Sequence, residues 1–190
     1  MNQFEHRLHA GKISSMSAFD DEKQAIRKQL LAKRLASSKP ADFSLFALEL
    51  LESTDGPVAS YWSTETEPAT TKINDYLKQS GRLVLPAITG LNLKWTIPDK
   101  LIPSRFGIMS PVGKTIPIAE IEIVLAPALA VSKTGARLGK GGGYYDRALE
   151  NYTGKIFPMV FESEFVETLP MAEHDKKVHG VITEKGLRVF

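Results

Sequence analysis

Apolar residues recur along this chain in two rhythms, a three-to-four spacing and short continuous runs, and their alternation predicts a layered α/β domain. Asp20 and Asp21 can cap a helix running to about Ser37, with Ile26, Leu30 and Leu31 as its apolar stripe. Ser37, Ser38 and Pro40 break that pattern, and a second helix is expected from Asp42 to Leu51, ahead of the turn Asp55-Gly56-Pro57. Val58 to Trp62 reads as a short buried strand. A helix after Pro68 turns Ile73, Tyr76 and Leu77 inward and stops at Gly81, and Arg82 to Pro86 makes the next strand. Such a strand–helix–strand cadence implies βαβ units and a mostly parallel sheet. Ile121 to Ala126 is a β-branched run of the kind found in a central strand covered on both faces. Ile156 to Phe161 and Gly180 to Thr183 are expected to complete the sheet, with a short helix near Tyr144 to Leu149 between them and the central strand. The stretch from Ala87 to Ala119 is rich in Pro and Gly, so loops are expected there, with one strand around Leu93 to Thr96.

Length and charge narrow the picture. The 190 residues suit one domain, placed here at residues 21–190, and the first twenty residues read as an unstructured extension without a signal-peptide apolar block. A formal net charge of +2 is too small to argue for nucleic acid or an acidic membrane, so any strong positive field must be local. Cysteine is absent, which removes disulfides, thiolate zinc sites and a cysteine nucleophile and fits a reducing cytoplasm. No apolar run approaches the length of a membrane span.

The densest chemical signal is Arg137-Leu138-Gly139-Lys140-Gly141-Gly142-Gly143-Tyr144-Tyr145-Asp146-Arg147. Glycines between a central strand and a helix let backbone amides approach a ligand closely, and such amides favour phosphate oxygens. The loop is expected beyond the carboxyl ends of the strands, where open α/β sheets bind ligands. Arg137 and Lys140 add positive charge at the same place. The common nucleotide signatures do not fit: Lys140 is followed by Gly141 where a Walker loop has Ser or Thr, and Tyr144 stands where the Rossmann spacing needs glycine. The pattern alone leaves two readings, a phosphate-binding loop and a flexible surface turn.

At this point RLGKGGGYYDRAL resembles the signature of the 5-formyltetrahydrofolate cyclo-ligase family. The resemblance extends from about Glu22 to His174-Asp175, through the pair Lys23 and Arg27, the segment from Tyr61 to Thr70, Gly81 to Pro86, Gly107-Ile108 and Ile123 to Val131. It implies a three-layer α/β/α sandwich around a mostly parallel sheet. It also implies ATP- and Mg²⁺-dependent closure of 5-formyltetrahydrofolate to 5,10-methenyltetrahydrofolate. By that resemblance Lys23, Arg27 and Arg137 through Tyr145 (Leu138, Gly139, Lys140, Gly141, Gly142, Gly143 and Tyr144 included) would hold ATP, with Arg137 and Lys140 serving the chemistry. Trp62, Glu67, Lys140 and Tyr144 would contact the folate, and Asp146 and Asp175 would carry Mg²⁺. Trp95 is a further candidate for the same pocket.

Plainer roles stand beside these. Lys23 and Arg27 also fit a solvated basic face, Asp146 a salt bridge with a neighbouring arginine, Asp175 a turn, and Glu67 the start of a helix where Pro68 and the dipole favour an acid. Three positions depart from the family's commoner pattern: Ser110 and Ser132 stand where Glu and Asp are usual, and His179 where Asp is frequent. The first two are expected to alter loop hydrogen bonding, and His179 to weaken the metal end. The expected protein is a cytoplasmic monomer acting on a small molecule, without nucleic-acid or membrane partners. Its rivals are a non-catalytic nucleotide- or RNA-binding module and an ATP-dependent enzyme for a non-folate substrate.

Overall fold

The helix expected from about Asp20 is the second half of a longer one. In the computed structural model, which describes residues 3–36, 41–104, 108–171 and 176–190 and side chains from residue 20 onward, α1 runs Gln3–Ala36. Then come α2 (Ser44–Leu51), β1 (Val58–Ala59), α3 (Thr71–Gln79) and β2 (Leu83–Thr89). A long hairpin of β3 (Asn92–Pro103) and β4 (Met109–Ile116) leads to β5 (Ile123–Pro127), β6 (Ala130–Ser132), β7 (Arg137–Leu138) and α4 (Tyr144–Leu149). The chain closes with β8 (Lys155–Met159), β9 (Phe165–Val166), β10 (Gly180–Thr183) and β11 (Gly186–Val189).

Eight strands form one sheet in the order β11-β10-β8-β5-β1-β2-β3-β4. The five inner strands from β10 to β2 pair in parallel, with Val58 opposite both Leu83 and Ile123. Only the flanks, β11 on one side and β3 with β4 on the other, run antiparallel.

Side chains of a strand alternate between faces, and two cores follow from that. Val58, Leu83, Leu85, Ile123, Leu125 and Phe157 meet α2 and α3 through Ala47, Leu51, Ile73 and Leu77. Ala59, Val84, Val124, Ala126, Ile156 and Val181 face the other way, onto Trp95, Tyr152 and Leu149 of α4. The inner strands are therefore apolar at most positions, which is why the sequence shows runs there and little alternation.

Most described residues of the stretch from 87 to 119 are strand where loops were expected, and the strand expected around Leu93 to Thr96 is part of β3. β3 and β4 pair from Trp95↔Ile116 to Pro103↔Met109, with a register shift between Pro98 and Lys100. The prolines are tolerated because they fall at that irregularity, at the hairpin end and on the outermost strand. A second, three-stranded sheet of β7, β6 and β9 was also not anticipated. In it Ser132 is buried, its hydroxyl accepts the Ala136 N–H at 3.1 Å, and it lies 2.8 Å from the Thr134 hydroxyl. This serine shapes the β6–β7 turn, a loop-bonding role as expected. His179 is likewise built into the framework: its Nδ1 accepts the Ile156 N–H at 3.1 Å, and its own N–H donates to the Ile156 carbonyl at 2.9 Å.

The expected stripe on α1 packs as proposed: Leu30, with Ile26 and Leu31, meets Leu129, Ala130 and Leu138. About one turn beyond it, Arg34 forms a buried ion pair with Glu164. Its Nε and Nη2 donate to the two carboxylate oxygens at 2.6 and 2.7 Å, and Nη2 also donates to the Ala128 carbonyl at 2.7 Å. Among the described residues no helix is long and apolar enough to cross a membrane.

Candidate active site

The glycine loop is held from behind. From the end of β5 the chain turns through β6 and β7, and Leu138, 2% exposed, is buried against α1. The loop that follows needs glycine for local reasons. Gly141 and Gly143 have φ of +96° and +65°, and a Cβ at Gly143 would stand 2.5 Å from Arg147 Nη1. A side chain there meets both a left-handed backbone and an occupied space. Arg27 Nε donates to the Gly139 carbonyl at 3.0 Å, so the first helix grips the loop directly. Arg147 fixes its other end, donating to the carbonyls of Leu91 and Gly142 at 2.6 and 3.1 Å, with its guanidinium 5.4 Å from the Tyr144 ring centre.

In front of the loop lies a cavity of about 500 Å³. One wall is Arg137 and the stretch from Gly139 to Asp146, and the opposite wall carries Trp62 and Glu67. Leu85, Ile88, Leu93, Ile108 and Met109 from the β2–β4 side supply an apolar third wall. Its position past the carboxyl ends of β1 and β5 is where ligands of open α/β sheets collect. Of the residues selected from the sequence, Trp62, Glu67, Arg137, Gly139, Lys140, Gly141, Gly142, Gly143, Tyr144, Tyr145 and Asp146 converge here. Leu138 and Arg27 support the loop and do not line the cavity, and Lys23 sits one helical turn before Arg27 on α1. Asp175 lies outside the described residues, as does Gly107.

The cavity's charges are paired internally. Arg137, whose side chain is 6% exposed, donates to Asp146, so Asp146 does form the salt bridge with a neighbouring arginine. The guanidinium carbon of Arg137 also lies 5.9 Å from the Tyr145 ring centre. Across the cavity Lys140 Nζ is 2.7 Å from Glu67 Oε1. Tyr145 packs edge-on against Trp95 at 6.0 Å between ring centres. Its hydroxyl is buried without a hydrogen-bond partner among the described residues. Burial, reinforced by the Glu67 charge and opposed by Arg137, pushes that phenol well above its ordinary range, so it stays a protonated donor near neutral pH. Trp95 itself is 4% exposed and braces Tyr145 from inside without lining the cavity.

The loop that carries Trp62 and Glu67 is pinned to α3. Thr70 Oγ1 donates to the Tyr61 carbonyl at 2.7 Å, Asn74 Nδ2 donates to the same oxygen at 3.0 Å, and the Thr70 N–H donates to Ser63 Oγ at 3.1 Å. Thr70 is 1% exposed and is therefore scaffold. Asp146 fits a phosphate-borne Mg²⁺: its side chain is 57% exposed at the cavity's edge, and such an ion commonly takes one or two carboxylates with phosphate and water as its other ligands. Among the described residues no three acidic or histidine side chains cluster as a self-sufficient metal cage.

The sequence matches the profile of the 5-formyltetrahydrofolate cyclo-ligase family over residues 20–184. This chain belongs to that family. A 5-formyltetrahydrofolate cyclo-ligase from Mycolicibacterium smegmatis is 33% identical over 142 residues, which cover 67% of this chain and 73% of the relative. The enzyme of the same name from Escherichia coli is 30% identical over 139 residues, covering 66% and 76%. Among solved structures, the 5,10-methenyltetrahydrofolate synthetase of Aquifex aeolicus superimposes with a TM-score of 0.77 at 29% identity, over 88% of this chain and 92% of that one. This chain thus has the sandwich and mostly parallel sheet expected from the resemblance.

Several further side chains shape the site without having been expected from the sequence. Arg147 and the pair Arg34–Glu164 depend on contacts far apart in the chain, and nothing local announces them. Thr64 had a local sign: Thr64-x-x-Glu67 has the spacing of a capping box.

Proposed function

We propose that this chain closes 5-formyltetrahydrofolate to 5,10-methenyltetrahydrofolate, consuming ATP and releasing ADP and phosphate. The observation that carries this reading is the single cavity in which a glycine loop with Arg137 and Lys140 faces Glu67 and Trp62. In this reading phosphate chemistry and a ring-binding carboxylate act within reach of one another.

The chemistry asks for both. A formamide oxygen is a poor leaving group, so direct closure by N10 stalls. Transfer of the γ-phosphoryl group to that oxygen releases ADP and converts the oxygen into part of a phosphate. N10 then attacks the activated carbon and loses its proton, and the C–O bond breaks to expel phosphate and leave the methenyl bridge. The protein aligns and neutralises; no protein nucleophile is required. Arg137 suits bidentate phosphate contact and Lys140 acts as a mobile point charge, which its 41% side-chain exposure permits. Lys23 and Arg27 lie on the helix behind the loop and would extend the cationic surface along the triphosphate. Glu67 would accept hydrogen bonds from the pterin's amide and amino groups, with Trp62 and Tyr144 against its rings. Mg²⁺, held by Asp146 and Asp175, would offset charge on the phosphates. We further propose a monomer working in the cytoplasm.

The test is direct. Protein, ATP, Mg²⁺ and 5-formyltetrahydrofolate should together generate the near-ultraviolet absorbance of the methenyl product, and omission of ATP should abolish it. ATP binding without product under these conditions would instead favour a nucleotide-binding module or a non-folate substrate. Glu67→Gln should raise the KM for 5-formyltetrahydrofolate ~10–100-fold, about 1.5–3 kcal/mol for hydrogen bonds to a charged acceptor, and change the KM for ATP far less.

A further inference from the structure

Glu67 reaches into the cavity with its two oxygens already distinguished. Oε2 accepts two hydrogen bonds from a single residue: the Thr64 backbone N–H at 2.8 Å and the Thr64 hydroxyl at 2.9 Å. The Glu67 N–H in turn donates to the Thr64 carbonyl at 3.0 Å, closing the tetrapeptide into a reciprocal turn. Oε1 is left on the cavity side, where Lys140 Nζ meets it. The Glu67 side chain is 8% exposed, so its carboxylate is largely withdrawn from water and takes its direction from these contacts. Thr64 itself borders a neighbouring hollow with Ser63, Glu65 and Thr66 and does not line the main cavity.

We propose that Thr64 is a positioning residue for substrate recognition: its hydroxyl locks the Glu67 carboxylate so that Oε1 alone is presented to the hydrogen-bond donors of the pterin ring. The proposal rests on the folate reading of this cavity and deepens it. A glutamate has three side-chain torsions, and a carboxylate free to spin about the last of them offers a ligand no fixed acceptor direction. Two charge-assisted hydrogen bonds on Oε2 remove that freedom before the ligand arrives, which is the ordinary advantage of preorganisation. The backbone N–H of Thr64 would hold the carboxylate in any variant. The hydroxyl is the part a substitution can remove, and the tight spacing of the two donors makes the second one the element that fixes rotation. Lys140 then has a defined point of attachment on Oε1, the point from which the substrate would displace it.

The experiment compares Thr64→Val, which keeps the shape and loses the hydroxyl, with Thr64→Ser, which keeps the donor. Dissociation constants for 5-formyltetrahydrofolate and for ATP are measured by calorimetry, kcat and KM by product absorbance, and each variant's Tm is recorded. Thr64→Val should weaken folate binding about tenfold, the scale of one hydrogen bond to a charged group. Its Kd for ATP and its Tm should stay close to wild type, and Thr64→Ser should bind folate like wild type. In a Glu67→Gln background Thr64→Val should weaken folate binding by much less than tenfold, because the carboxylate it orients is gone. Folate binding by Thr64→Val equal to wild type overturns the proposal, as does a tenfold loss that persists undiminished beside Glu67→Gln. A wild-type protein that binds ATP and no folate overturns the folate reading itself, and this inference with it.

Discussion

Arg137→Ala should lower kcat by about 10²–10³-fold, ~3–4 kcal/mol of transition-state stabilisation, the usual cost of removing one preorganised donor from a closed site. Arg137 keeps 6% of its side chain exposed, although it faces the cavity, and its guanidinium is held between the Tyr145 ring and Asp146. Its solvation was therefore surrendered on folding, and little reorganisation is left for the moment of phosphoryl transfer. The loss should fall on kcat, with a smaller change in the KM for 5-formyltetrahydrofolate, whose proposed carboxylate partner Glu67 stands on the opposite wall. Arg137→Lys should recover only part of the rate, since an ammonium keeps the charge without the planar fork. Steady-state kinetics with ATP varied at saturating folate checks both, and unchanged turnover in Arg137→Ala would remove this residue from the mechanism.

Glu164→Gln should destabilise the fold by about 3–5 kcal/mol, the usual penalty for stranding one member of a buried ion pair. For a chain of this size that is a fall in Tm of roughly 10 °C. Side-chain exposures of 2% for Arg34 and 5% for Glu164 leave the guanidinium no water to turn to once its carboxylate is neutral. The pair also has local duties: Glu164 Oε2 accepts the Phe161 N–H at 2.9 Å, and the Arg34 guanidinium lies 5.4 Å from the Phe161 ring centre. Thermal melts should therefore rank Glu164→Gln well below wild type. A double replacement, Arg34→Met with Glu164→Leu, should regain most of the loss, because no uncompensated charge is then buried. A double variant as unstable as Glu164→Gln would assign the effect to packing. Since Arg34 and Arg27 both tie α1 to the body, Glu164→Gln should also weaken ATP binding.

Legibility of this fold in the sequence tracked how local the cause was. The parallel strands were found because burial on both faces makes runs such as Ile123 to Ala126 apolar at every position. The β3–β4 hairpin was not, because its half-exposed strands carry no such run and its prolines signal loops. Only its place at the sheet edge lets Pro111 and the irregularity beside Pro98 coexist with pairing. The sheet of β6, β7 and β9 is built from two- and three-residue segments, too short to leave a periodic trace. Within the site, the glycine loop was legible because positive φ at Gly141 and Gly143 demands glycine whatever surrounds it. The Lys140–Glu67 and Arg34–Glu164 pairs were not, since a charge gives no local sign of which distant partner folding will bring. His179 was expected to touch on the metal end, and the described residues place it in the β8–β10 framework.

The two indoles of this chain occupy opposite environments. Trp62 is 36% exposed on the cavity wall, whereas Trp95 is 4% exposed and sealed beside Tyr145. With only two tryptophans in the chain, intrinsic emission divides into a red-shifted, quenchable component from the wall and a blue-shifted, shielded one from the interior. The protein thereby carries its own optical gauge, in which one fluorophore senses what enters and the other serves as internal reference.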